Sequence, residues 1–144
     1  MLHAQPSILL IERPGMAKIR FINVDLDVSS LASLGPLTKA VEKKRMVNLR
    51  RPDDADDTTA SYELVMHVGS ANETISRMLD VLEQLKGEAK EAWLGATRRE
   101  FDIGYDCGTE PLAFNEAIDP DVVRRIALIG AGIRITLYPE RDNG

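Results

Sequence analysis

Apolar residues recur at every second position along two segments in the last third of the chain, 101–105 and 133–138. A period of two predicts strands with one buried face. A third apolar run at 112–118 follows a turn-like sequence, which predicts a strand returning antiparallel to the first. Before the last segment, Asp119 can accept an N-cap hydrogen bond and Pro120 suits the first helical position. A helix is therefore predicted from there to Gly130, which can supply a left-handed end.

The first two thirds of the chain also contain the period of two that is typical of strands and the spacing of three and four residues that is typical of helices. Alternation over 19–28, with a slip at 22–23, predicts a strand with a β-bulge. Shorter runs predict strands at 46–49 and 62–68, and a short helix is expected over 36–44 after the break at Pro36. Apolar spacing of three and four residues predicts a principal helix over 72–86. This helix either ends at Gly87 or continues through the helix-forming residues 88–92.

Taken together, these elements predict an α+β fold. The expected fold is a mostly antiparallel sheet with about three helices packed on one face and ferredoxin-like, split β-α-β elements. We expect residues 17–139 to form a single domain, preceded by an extension at 1–15 and followed by a tail at 140–144. The predicted core comprises Ile75, Met78, Leu79, Leu82, Ile103, Val123, Ile126 and Ile135.

Two explanations of the N-terminal extension stay open. Met16 followed by Ala17-Lys18-Ile19 resembles an ordinary protein start. If Met16 is the initiator, residues 1–15 are dispensable. Alternatively, the apolar residues 8–11 add an edge strand to the sheet.

Composition narrows the range of functions. The chain has 144 residues, a formal net charge of −5 and one cysteine. An acidic balance argues against nucleic acid as the main partner, because phosphate contacts need clustered Lys and Arg. A single cysteine permits no internal disulfide and favours a reducing compartment, so we expect a cytoplasmic protein. No apolar run approaches a membrane span, and residues 7–11 are too short for the apolar core of a signal peptide.

The most unusual charge pattern lies between residues 100 and 121, where seven acidic residues occur with no basic one. The candidate interaction residues within it are Asp102, Asp106, Glu110, Glu116 and Asp119. A run of like charge is usually a solvated face, but it also suits a surface that meets a basic protein partner. The spacing matches no calcium loop, so no metal site is predicted.

Candidate catalytic residues are few, and none is assigned a catalytic role. Cys107 lies among acidic neighbours, which disfavour the thiolate that a nucleophile needs. Asp25 and Asp27 share one face of a strand, yet no nearby residue supplies the third group that acid–base chemistry would use. The basic stretch 39–51 lacks the aromatic residues that stack on single-stranded bases. No cofactor is expected.

The C-terminal unit resembles a bacterial family of small α+β proteins of unknown function, some of which are similar to polymorphic-toxin immunity proteins. The resemblance covers about residues 17–139 and is carried by 101–105, Phe114, 119–127, Gly130-Ala131 and 137–139, with support from 34–36, 75–85 and Trp93. It implies the same α+β fold and a non-catalytic role, and it supplies no catalytic residues.

Two functions are therefore weighed. The favoured hypothesis is a binding protein of the immunity-inhibitor type whose acidic surface meets a basic partner. The alternative is a small enzyme or ligand-binding domain with its site near the turn that joins Asp102 to Glu110, which should then show a concave pocket. A homodimer through a strand edge or a sheet face is a third expectation.

Overall fold

The computed structural model describes residues 17–50 and 57–140. The extension at 1–15 with its alternative strand, most of the acidic loop after Pro52, and residues 141–144 of the tail lie outside these ranges. In chain order the elements are β1 (Arg20–Ser29), α1 (Gly35–Glu42), β2 (Met46–Asn48), β3 (Thr59–Leu64), α2 (Ala71–Leu82), α3 (Gly87–Leu94), β4 (Arg98–Asp106), α4 (Pro120–Leu128) and β5 (Gly132–Tyr138).

The five strands form one open sheet in the order β2-β3-β1-β4-β5. Neighbouring strands are antiparallel except for β4 and β5, which are parallel. The first four strands follow the split β-α-β arrangement, and the crossover through α4 adds β5 beyond β4. The α+β, mostly antiparallel prediction is thus confirmed. The register between β1 and β4 shifts between Phe21 and Asn23, where the slip in alternation predicted a bulge.

All the helices of the described chain pack on one face of the sheet. Alternate residues of the central strand β1, Val24, Leu26 and Val28, are buried and belong to the same apolar cluster as the inward faces of the helices. Their neighbours on β3 and β4 continue this buried layer. The opposite face of the sheet is therefore left open, and the polar members of each alternation lie there.

The predicted strand at 112–118 is wrong. These residues form turns and irregular structure, and the side chain of Leu112 is fully exposed. The reason is topological: β1 occupies one edge of β4 and β5 occupies the other, so no edge is left for an antiparallel return. Just before this segment, the backbones of Thr109 and Glu110 bond the chain ahead of β1, and Glu110 forms an isolated bridge to Lys18.

Two further boundaries differ from the prediction. The strand expected at 62–68 runs over Thr59–Leu64 instead, because Leu64 lies opposite Met46, the first residue of β2. Beyond it a single bond from the Val65 amide to the Arg45 carbonyl closes the ladder. The principal helix ends at Leu82, and a separate helix begins at Gly87, whose φ of +57° breaks the helical path. Residues 17–50 and 57–140 therefore contain four helices, where about three were expected.

The predicted core is confirmed for six residues and wrong for two. Val123 is 46% exposed and Ile135 is 63% exposed. On α4 the residues that face the sheet are Val122 and Ile126, four apart, and Val123 lies to the side of this stripe. Ile135 points to the helix side of the sheet, but β5 is an edge strand that the helices leave uncovered.

Arg99 ties the ends of α3 and α4 to the start of β4. Its guanidinium donates to the carbonyl oxygens of Trp93 at 2.8 Å, Ala96 at 3.1 Å and Gly130 at 2.9 Å. It also lies over the Trp93 ring, 5.7 Å from the ring centroid. One cation thus satisfies carbonyls at two helix C-termini, where positive charge is stabilising.

We expect Arg99→Ala to lower the free energy of unfolding by about 2 kcal/mol, because several carbonyls lose a charged donor. Arg99→Lys should recover only part of that loss, since an ammonium cannot reproduce the planar fork. Chemical denaturation followed by circular dichroism measures both. The control is Arg77→Ala, which removes an exposed pair with Glu73 and should cost less than about 0.5 kcal/mol. Equal losses for Ala at positions 77 and 99 would contradict the capping role.

Candidate functional site

A group of carboxylates lies on the open face of the sheet. Asp25 and Asp27 come from β1, Glu63 from β3, and Glu100 and Asp102 from β4. Register places Asp25 opposite Asp102 and Asp27 opposite Glu100. Directly paired residues of an antiparallel sheet have Cβ atoms about 5 Å apart, so these side chains are neighbours. They form the acidic cluster of this face, which is not covered by any helix of the described chain.

Asp25 has the most perturbed carboxyl of the cluster. Partial burial raises its pKa from 3.8 to about 6, assisted by the negative charges of Glu63, Asp27 and Asp102 and by a side-chain hydrogen bond with Glu63. The charges that raise the pKa of Asp25 are thus all carboxylates, and strand pairing holds them near one another. The Asp25 carboxyl therefore holds its proton more tightly than a free aspartate does, and the site favours an added positive charge.

The rest of the cluster is partly compensated. Glu100 accepts from both Arg98 and Arg134 at 2.8 Å. Asp27 accepts a hydrogen bond from the Ser61 hydroxyl at 2.8 Å, and Asp102 accepts one from Thr136 at 2.6 Å. The negative charge is therefore least compensated around Asp25 and Glu63, whereas Asp102 lies opposite Arg134, which bonds Glu100.

At the end of the open face that contains Arg98 and Arg134, there is a shallow depression of about 400 Å³. Arg50, Arg98 and Arg134 line it together with Asp27. Because Arg98 and Arg134 are already bound to Glu100, this end is closer to neutral than three arginines suggest. The open face thus has an acidic end and a compensated end.

The structure separates the five predicted interaction residues. Asp102 and Asp106 lie on the open face, Asp106 at the end of β4 and 4.0 Å from Arg20. The Glu116 carboxylate accepts from the Tyr105 hydroxyl on the helix side at 2.7 Å. Asp119 precedes α4, where its side chain accepts from Asn72 at 3.0 Å rather than from its own helix. The backbone of Glu110 accepts from the amide of Ile19.

Arginines also pair with some of the carboxylates of the acidic stretch 100–121. Its sequence contains no basic residue, but Arg98, Arg134 and Arg20 come from outside it to pair with Glu100 and Asp106. Within it, Asp121 pairs with Arg124 just beyond its end. Sequence reasoning also missed Glu63, which lies on a different strand. The pair Asp25–Asp27 was the signal that could have led to the cluster, since Glu63 and Asp102 supply the further groups that it lacked.

A separate cavity lies beside the turn at the end of β4, on the helix side. Its volume is about 410 Å³, and its walls include Tyr105, Phe114, Glu116, Cys107 and Leu137. The Tyr105 and Phe114 rings meet edge to face with centroids 5.8 Å apart. Burial and the bond to Glu116 both raise the pKa of Tyr105, so its hydroxyl stays protonated. The lining of the cavity is more apolar than polar, and its polar side chains include the bonded Tyr105–Glu116 pair and Asp106.

The described residues provide little for other chemistry. They contain no group of three or more His, Cys, Asp or Glu side chains arranged to hold a metal ion. Cys107 is a free, half-buried thiol. His67 lies 3.4 Å from Glu63 with its side chain 60% exposed, at the rim of the acidic cluster. Within the same ranges, no helix has the length and apolar character needed to cross a bilayer.

Comparisons of the chain with protein-family models, with curated proteins and with solved structures give no significant match. The functional argument therefore depends on the residues and geometry described above.

The raised pKa of Asp25 predicts how stability changes with pH. The folded state holds the Asp25 proton more tightly than the unfolded state, so stability falls as pH rises from about 4 to about 6. Asp25→Asn removes this penalty and retains a group that can donate to Glu63. The full shift is worth ~3 kcal/mol, but the site is half open to water, so we expect a gain of about 1 kcal/mol at pH 7.

Urea unfolding across this pH range measures the effect. The difference between Asp25→Asn and wild type should disappear below about pH 4, where Asp25 is protonated in both states. Asp106→Asn is the matched control, because Asp106 lies on the same face but half exposed beside Arg20. A gain for Asp25→Asn that is independent of pH would show that the cause is not the carboxylate charge.

Proposed function

We propose that this protein is a non-catalytic binding protein that meets a basic protein partner with the acidic end of its open sheet face. The observation that carries the proposal is the concentration of Asp25, Glu63 and Asp102 on a rigid surface where their charges repel each other. An inhibitor of the immunity type is the specific role we favour, and the reducing cytoplasm is the compartment that the single cysteine favours.

The physical argument concerns the relief of repulsion. Like charges held together on a sheet reduce the stability of the fold, so folding alone gives little reason for the arrangement. A lysine or arginine placed over Asp25 would favour the ionised carboxylate and lower its pKa. Binding would then release a proton near pH 6, and the affinity should rise between pH 5 and pH 7.

The shape of the surface also suits a protein partner. The acidic end lies on a sheet face rather than in an enclosed pocket, and its side chains are positioned by backbone pairing on both sides of β1. Charged surfaces of this kind accelerate association with an oppositely charged protein. The same attraction weakens as salt screens the charges.

The test uses a triple variant, Asp25→Asn, Glu63→Gln and Asp102→Asn. Wild-type protein should capture basic proteins from a bacterial lysate at low salt and release them at high salt, whereas the triple variant should capture none of these. With one purified captured protein, we expect association to slow by at least about tenfold in the variant, measured by surface plasmon resonance.

The matched control is Glu42→Gln, Glu88→Gln and Glu91→Gln, which removes the same charge from exposed positions on helices, away from the open face. It should bind like the wild type. If both triple variants lose binding equally, net charge rather than the acidic cluster is responsible, and the proposal fails. Capture that is insensitive to salt in all three proteins would also contradict it.

The cavity beside the turn favours a second function, the binding of a small apolar ligand. This is where the alternative hypothesis expected a concave pocket, and the volume of about 410 Å³ lies in the range of small-molecule sites. Its walls combine apolar side chains with the hydroxyl of Tyr105 and the carboxylate of Glu116. A small molecule with an apolar body and one hydrogen-bonding group would match this lining.

A fragment screen by NMR tests this alternative. Ligands of the cavity should shift the amide signals of Tyr105, Cys107 and Phe114. A Gly108→Trp variant is not used to fill the cavity, because a side chain at position 108 would clash with the Ala17 backbone. Instead, Leu137→Trp should fill the cavity and abolish the shifts while the acidic cluster keeps its partner. Fragments that shift none of these signals would leave the binding protein as the only function proposed.

A further inference from the structure

The two edges of the sheet differ in how they are protected. β2 is three residues long and is flanked by Lys43, Lys44 and Arg45. A short strand with adjacent basic residues is a usual defence against pairing with another chain. β5 has seven residues, no proline before Pro139, and Arg134 as its one charged side chain. No other strand of the described chain lies against its outer edge.

The unprotected edge is also apolar. Ile133, Ile135 and Leu137 point to the helix side and are 44%, 63% and 61% exposed. On α4, Arg125 faces α2, where it bonds Asp80 and Glu83. Val123 lies two residues before Arg125, about 200° around the helix. It therefore faces the β5 side and extends the apolar surface formed by Ile133, Ile135 and Leu137.

We infer that β5 pairs antiparallel with β5 of a second copy about a two-fold axis, joining two sheets into one of ten strands. This inference is independent of the proposed basic partner, because it concerns the strand edge rather than the open face. The occupant is a second copy because the strand is complementary to itself, as its register shows.

The register that overlaps β5 fully is centred on its middle residue, Ile135. Ile135 then faces Ile135 of the other copy, and Ile133 faces Leu137. All the apolar side chains meet on the helix side, where Val123 of each copy adds to them. On the open face Arg134 faces Thr136, so no like charges lie directly opposite each other. The two Arg134 side chains are diagonal neighbours, and each keeps its bond to Glu100 of its own copy.

The size of the contact sets its expected strength. The seven residues of β5 and Val123 are fewer than the roughly 20–30 residues that each side of a typical stable interface contributes. Backbone hydrogen bonds along the strand add to the apolar contact. We therefore expect a dimer with a dissociation constant in the roughly micromolar range, dependent on concentration.

Sedimentation velocity over a micromolar concentration series tests the inference with the full chain. The weight-average mass should rise from the 16.0 kDa of one chain towards twice that value. Ile135→Lys places two ammonium groups face to face at the axis and should keep the protein monomeric, weakening association by at least about tenfold. Leu31→Lys is the control, because Leu31 is 92% exposed and precedes α1, and it should dimerise like the wild type.

Amide hydrogen exchange gives a second measurement that does not depend on a variant. Exchange of β5 amides should slow as concentration rises, while exchange of β2 amides should not change. A wild-type protein that stays monomeric throughout would overturn the inference, as would a dimer that Ile135→Lys leaves intact. If only a protein starting at Met16 dimerises, residues 1–15 cover the edge in the full chain, and the second copy is again the wrong occupant.

Discussion

The alternation of side chains along β1 is the constraint on which the rest of the structure depends. β1 is the central strand, paired on both sides, and a strand must send successive side chains to opposite faces. Val24, Leu26 and Val28 therefore anchor the helices, and Asn23, Asp25 and Asp27 are carried to the other face. Because paired residues share a face, β3 and β4 inherit the same division, and a core and an acidic surface arise from one pattern.

Interactions within the helix layer use cations that the open face lacks. Arg99 fixes the ends of α3 and α4, and Arg125 joins α4 to α2 through Asp80 and Glu83. Both arginines bond on the helix side of the sheet, so neither pairs with the carboxylates around Asp25.

The proposed surfaces are compatible with one another. The acidic cluster lies on the open face, and the proposed dimer uses the outer edge of β5. In a ten-stranded sheet formed about a two-fold axis, both open faces would lie on the same side. Two acidic clusters would then be presented together, and a partner with two basic sites would bind more tightly than one site allows. The cavity beside the turn opens on the helix side and is independent of the acidic cluster, but it shares Ile135 and Leu137 with the proposed dimer contact.

The sequence by itself determined the features that depend on neighbouring residues. The bulge at Phe21–Asn23, the start of α4 at Pro120 and the left-handed end at Gly130, with φ of +78°, follow from local backbone preferences. The α+β class also followed, because the order of periods along the chain limits the available layers.

Tertiary structure alone decided which residues became neighbours. Residues 112–118 have a strand-like composition, but both edges of β4 were already occupied, and Ile135 has core chemistry but lies on an uncovered edge. Glu63 and Asp102 meet Asp25 through pairing with β1 from opposite sides, which no spacing in the chain records. Local patterns fix which face of a strand a side chain takes; the order of strands in the sheet, a property of the whole fold, fixes what it meets there.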